Sequence, residues 1–363
     1  VLRAELLAPG GAPTGVDYEV VWNGKNGLPA GQYIYRVAAV MSAGDSNNPG
    51  GETLASEPLT FVVPQGLDNR LQLSLRWKAI AGASTYRVYR SPLAGAAAGG
   101  ELLLAAVPAN GDPSLGDTGA ATPAAPGPLP PGALGAWSKV GALGTARAGA
   151  GAVAVQNPMD PLKYHLVVAG GNSGTLAAPV PLASVEVITL TLDASNNQAV
   201  SAPVVGPGLA TARWAVRAVA GLNAQNATIP AGSPRVYVLP GSGAALTTLV
   251  ADIESAPVQA AGTLGGWVAA GASGVSRPGS GGFLLNNQAM LLGGFDNGAA
   301  GTAGDFAALS APDRVGAFQS SAGLLGKPRA LQGIAVDRGV VFQIGGASGQ
   351  SGTAQASTER AFW

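Results

Sequence analysis

Ala289-Met290-Leu291-Leu292-Gly293-Gly294 and Val340-Val341-Phe342-Gln343-Ile344-Gly345-Gly346 decide how this chain is read. Each is a short apolar run closed by two glycines. The phrase also stands at Val167-Val168-Ala169-Gly170-Gly171, and a worn copy reads Tyr237-Val238-Leu239-Pro240-Gly241. An arginine precedes every copy: Arg147, Arg213, Arg277 and Arg329. Sixteen residues separate Arg277 from Gly293 and Arg329 from Gly345. An aromatic residue lies further upstream in three copies: Trp137, Trp267 and Phe318. The arginines follow one another at intervals of 66, 64 and 52 residues, so the loops vary around a constant strand core. Internal repeats of about 20–50 residues or a little more indicate stacked or radial units.

Each copy supplies about four short strands that cannot bury both faces alone, and radial packing of several sheets solves this. The diglycines permit a turn where a Cβ would clash, near a crowded axis. The aromatics fill the space between neighbouring sheets, and the arginines hydrogen-bond loop carbonyls. Glu186, Glu254 and Glu359 fall at equivalent places, which points to architecture rather than catalysis.

Residues 1–128 have another texture. Tyr18-Glu19-Val20-Val21-Trp22 alternates and stops at Asn23-Gly24. Gln32 to Val40 is a strand of aromatic and β-branched residues. Leu71 to Trp77 and Thr85 to Arg90 alternate apolar and polar residues, so each has one buried side. This predicts a β-sandwich with Trp77 and Tyr86 in its core, and with Arg36, Arg76, Arg87 and Arg90 facing outward. The proline-rich stretch 121–133 reads as a semi-rigid linker. The expected fold is therefore all-β: a sandwich over 1–120, the linker, and the repeat region over 134–363.

Two resemblances add to this. The diglycine, the tryptophan and the turn arginine resemble the kelch repeat, which implies a β-propeller with four recognisable blades, either part of a larger ring or completed by sheets from elsewhere, with Ser357–Trp363 pairing near Trp137. Leu73-Ser74-Leu75-Arg76-Trp77 and Thr85-Tyr86-Arg87-Val88-Tyr89-Arg90 resemble fibronectin type III strands. Such pairings imply secreted or cell-surface proteins, and also tail or fibre proteins of bacterial viruses.

Composition narrows the chemistry. Lys+Arg 20 balance Asp+Glu 20, and charged residues are only 11% of the chain, so no basic face for nucleic acid can be assembled. With no cysteine there is neither a disulfide nor a thiolate site. No apolar run approaches the ~20 residues of a membrane helix. The chain starts at Val1 without a signal peptide, which reads as a processed product or a fragment. The sequon Asn226-Ala227-Thr228 carries little weight.

His165 is the only histidine, and no carboxylate beside it in the sequence could fix it as a general base. Kelch-type copper oxidases use several histidines and a cysteine, which this chain lacks. Sialidase-type Asp turns, calcium loops and phosphate loops are also missing from the sequence. The expectation is a non-catalytic extracellular protein without cofactor or metal. It would bind a glycan or protein through propeller loops and belong to a larger assembly. A virion structural component and a propeller carbohydrate-active enzyme with paired carboxylates are the alternatives.

Overall fold

A computed structural model describes residues 2–8, 11–92, 98–193, 198–222, 234–259, 263–274, 277–296, 299–311, 314–337, 339–349 and 353–362. The sequon at 226–228 lies outside them. The described chain is all-β, with antiparallel sheets joined by turns and a single 3-10 turn at Gln65–Leu67. It divides into two compact units, Val1–Val140 and Gly141–Trp363. Among the described residues no helix is long and apolar enough to cross a membrane.

In the first unit a three-stranded sheet is ordered Asp17–Trp22, Leu71–Arg76, Ser114–Asp117. A four-stranded sheet is ordered Leu59–Val63, Gly31–Met41, Ala83–Arg90, Leu102–Pro108. Both sheets contribute to one core, in which Leu73 and Leu75 meet Tyr35, Val37, Tyr86 and Val88. The period-two alternation of these strands produces this, because every second side chain points to one face. Trp77 packs edge-on against Tyr86 in this core, with ring centroids 5.4 Å apart.

Arg76 and Arg87 face solvent in part, but Arg90 does not. It is buried and forms a 2.6 Å ion pair with Asp117, which corrects its outward assignment. Strand parity explains this, since Arg90 shares a face with Tyr86 and Val88. Residues 121–133 lie along the first unit rather than running free: Leu103 N–H donates to Pro126 O, and Leu7 N–H to Ala133 O.

The second unit contains four meandering sheets, here modules I to IV. Module I has Gly151–Asn157, Asp160–Ala169 and Val185–Leu192, with Gln198–Val200 and Val204–Gly206 both paired to the third strand. Module II has Ala218–Leu222, Pro234–Val238, Asp252–Pro257 and Val268–Ala272. Module III has Gly281–Leu285, Gln288–Leu292 and Gly304–Ala311, with Arg314–Val315 and Gln319–Ser321 on its third strand. Module IV has Gly333–Asp337, Val340–Ile344 and Thr358–Phe362.

Turn chemistry sets these hairpins locally. Leu285 pairs with Gln288 across Asn286 and Asn287, both at positive φ (48° and 62°). Asparagine tolerates that region, and a two-residue turn of this hand matches the twist of the strands it joins.

Three cores lie between consecutive modules. Val167 and Val187 of module I meet Val236 and Val238 of module II. Tyr237 and Leu239 project from the other face of module II onto Leu291 and Leu309 of module III. Met290 and Leu292 meet Val341 of module IV. Pro234–Val238 is therefore buried along its whole length, as expected of a strand covered on both faces. In module IV only one face is covered, and Ile344 on the other is 50% exposed.

Candidate functional site

The repeat residues converge on one construction. Arg147 donates to Gly170 O (2.8 Å), Ser184 O (2.9 Å) and Glu186 Oε1 (2.5 Å). Arg329 repeats the pattern with Gly345 O (2.9 Å), Ser357 O (3.0 Å) and the Glu359 carboxylate. Arg213 donates to Asp252 O and to the Glu254 carboxylate. Arg277 is paired with Asp305. In every module the arginine before the first strand thus ties down an acid on the third.

The acid is held from the other side too. Glu186, Glu254 and Glu359 accept the N–H of Gly144 (2.6 Å), Ala210 (2.7 Å) and Gly326 (2.7 Å), each three residues before its arginine. Asp305 is one methylene shorter, and its Oδ1 has no hydrogen-bond partner among the described residues. Burial pushes the Glu186 and Glu359 carboxyls upward. Backbone N–H groups and the arginines outweigh it and hold both below the usual carboxylate range. For Arg213 burial prevails and lowers its pKa, against the opposing pull of Glu254 and Asp252.

The diglycines set the step between modules. Gly170 and Gly171 have φ of 65° and 105°, Gly293 and Gly294 60° and 93°, Gly345 and Gly346 65° and 100°. The N–H of Gly171 donates to Arg213 O, and that of Gly294 to Arg329 O, both at 2.9 Å. Each pair closes the second strand of its module.

Two residues after each arginine the backbone again has positive φ, at Gly149, Ala215, Gly279 and Leu331. These positions link the modules in series: Val216 N–H donates to Gly149 O, Gly279 N–H to Ala215 O and Leu331 N–H to Gly279 O. Trp267 packs on the core between modules I and II and donates to Pro207 O at 2.8 Å. Phe318 packs on the core between II and III. Trp137 is 62% exposed, lies in the first unit and belongs to no core between modules. Ser138–Lys139 pairs with Leu2–Arg3, and Thr358–Phe362 with Val340–Ile344.

First strands of all four modules converge on a cavity of about 570 Å³. Small residues allow the approach: a Cβ on Gly151 would lie 2.5 Å from Ala218 N. The lining is largely alanine, valine, leucine and isoleucine, with Arg217 and Gln332 the polar side chains. Arg217 stands four residues after Arg213, where the other modules have Gly151, Gly281 and Gly333. Its side chain leaves module II, passes Gly282 and donates to Gln332 O of module IV at 2.6 Å. Burial alone lowers its pKa, with no acidic neighbour offsetting it. Gln332 is fully buried; its Nε2 donates to Leu292 O at 2.6 Å, and its Oε1 has no partner among the described residues.

A second cavity, of about 550 Å³, lies in the first unit beside Arg36, Glu57, Glu101 and Pro128 to Pro131. There Arg36 and Glu101 stand 3.5 Å apart and neutralise each other. His165 is 2% exposed. Asn157 Oδ1 accepts the Met159 N–H, so Nδ2 of Asn157 donates to His165 Nε2 (3.1 Å), and Nδ1–H of the imidazole donates to Thr189 Oγ1 (3.2 Å). The ring is a neutral structural element. Among the described residues no three of His, Asp and Glu cluster as metal ligands do.

No family model matches this sequence, and no curated protein matches it.

Proposed function

We propose that this is a non-catalytic extracellular or cell-surface protein, built as a fibronectin type III-like sandwich followed by kelch-like propeller blades. Its role is recognition of a glycan or protein, or assembly at a surface. Modules I to IV are read as four successive blades with their first strands toward the axis. One observation carries the reading. Every repeat arginine is occupied by the carboxylate of its own module, so the chemistry-bearing residues of the repeat serve as scaffold. A propeller glycosidase would need two acids facing its substrate. The axial lining holds none among the described residues, which favours binding over turnover. Fold likeness alone assigns no activity, so the site argument carries the weight.

The test uses the whole purified chain on a broad glycan array and against bacterial surface extracts, alongside hydrolysis assays on the same glycans. Saturable binding without turnover is expected. Hydrolysis, or silence on every surface, would overturn the reading.

A structural component of a virion tail or fibre is the second reading. It is favoured by module IV, whose outward face exposes Ile344, Ala335 and Thr358. In that form further copies of the chain cover this face. Sedimentation of the whole chain would then show concentration-dependent oligomers, and Ile344→Lys would abolish them.

A further inference from the structure

We infer that the axial cavity is a binding site for a carboxylate carried on a compact ring, the chemistry of a uronic acid residue, with Arg217 as its cationic anchor. This rests on the recognition reading and assigns it a ligand class.

Three observations lead there. Arg217 is a guanidinium set among alanine, valine and leucine side chains, and it has no counter-charge among the described residues. A buried charge is costly unless paired, and a guanidinium offers five donors in a fork matched to a carboxylate. Its one strong bond, to Gln332 O, fixes the head while leaving further N–H groups for a ligand. Its bond to module IV does not require a charge, because the three equivalent positions are glycine and the other modules pack without a cation there. The contrast with the first unit is direct: Arg36 has Glu101 beside it.

Gln332 positions this anchor. Its main-chain oxygen fixes the guanidinium head at the cavity wall, while its side chain is fully buried against Leu292 O and takes no part in the site. The volume admits a monosaccharide acid. The remaining wall, with Ala152, Val219 and Leu284, offers apolar contact to the ring's carbon face.

The experiment is a calorimetric and NMR titration of the full chain with digalacturonate, glucuronate, lactate, acetate and glucose. Digalacturonate distinguishes a glycan source from free hydroxy acids. Glucuronate should bind at least several-fold more tightly than acetate, and glucose not measurably. Arg217→Met should weaken glucuronate by about ten- to hundred-fold, the range for a charge-assisted bond.

Ala152→Glu keeps Arg217 and supplies an internal counter-ion, so it should also abolish binding if Arg217→Met fails to fold. Unchanged glucuronate binding in Arg217→Met and in Ala152→Glu would overturn the proposal, as would equal affinity for acetate and glucuronate. Array binding that survives both substitutions would sink this site while leaving the recognition reading in place. Glucuronate binding at Arg217 with a silent array would do the reverse.

Discussion

The main-chain oxygen of Arg213 lies against Gly170 so closely that a Cβ there would sit 2.6 Å from it, and the same oxygen accepts the Gly171 N–H at 2.9 Å. One carbonyl thus excludes a side chain and anchors a turn, and modules I and II are joined through it. In module IV the equivalent Gly345 meets only Gln355 O, at 3.4 Å.

These two glycines separate backbone strain from steric exclusion. Both have φ of 65°, so alanine at either pays the left-handed cost of about 1–2 kcal/mol. At Gly170 the collision with Arg213 O adds about 1–3 kcal/mol. Gly170→Ala should therefore lose clearly more stability than Gly345→Ala in urea denaturation. Equal losses would refute the carbonyl's role as the inter-module stop.

The Arg213–Glu254 pair is buried on both sides, whereas Arg76–Asp17 in the first unit is largely exposed. Removing one member of a buried pair strands the other charge, at a cost of about 3–5 kcal/mol. Arg213→Met and Glu254→Leu should each destabilise by that order. The double variant should recover part of the loss, because no lone charge remains. Arg76→Met should leave the denaturation midpoint unchanged. A double variant as weak as the sum of the singles would contradict the argument.

Acid sensitivity should develop in two windows. The neutral His165 is held below its ordinary value of 6.5 by burial and by Lys163. The unfolded chain then binds a proton that the fold refuses, so its contribution is present above 6.5 and is lost as pH falls below that. Glu186 and Glu359 have folded values below 4.5. Their contribution is present above the unfolded value and lost as pH falls further, through the folded values. His165→Gln should flatten the slope of stability against pH just below about 6.5 while leaving the loss below about pH 4.5. A slope unaltered by that substitution would show that His165 does not titrate with folding.

Much of the repeat could be read from spacing, because its constraint is local. A strand, two glycines and an upstream arginine lie within one hairpin. Even the worn copy at Leu239-Pro240-Gly241 occupies the place of Ala169-Gly170-Gly171. The ion pairs were half legible. Glu186, Glu254 and Glu359 stood out as equivalents, but their arginines are 30 to 41 residues away, and such distances hide contact. Asp305 escaped because the acid type changes in module III. Arg217 is hidden in the sequence because it sits in the apolar run Val216-Arg217-Ala218-Val219, as any outward-facing strand residue would. Aligning it with Gly151, Gly281 and Gly333 marks it as the one charged residue where the packing calls for the smallest.

The first unit offers the last test. Asp117 accepts from Arg90 Nη1 (2.6 and 2.9 Å), from Tyr35 Oη (2.8 Å) and from Gly119 N–H (2.8 Å), and all three side chains are buried. Arg90 also donates to Ala121 O at 2.7 Å, which ties the start of the proline-rich stretch to the network. Burial, then the Asp117 charge, pushes the Tyr35 phenol well above its usual range, so it remains a donor at every working pH. Tyr35→Phe deletes one bond from a carboxylate that keeps three others and should cost about 1–2 kcal/mol. Asp117→Ala leaves Arg90 buried without its counter-charge and should cost about 3–5 kcal/mol. Proteolysis near Ala121 should accelerate in Asp117→Ala and not in Tyr35→Phe, because only the former frees the arginine that holds this segment. Equal protection in both variants would show that the proline-rich stretch is held by its own contacts to Leu103 and Leu7 instead.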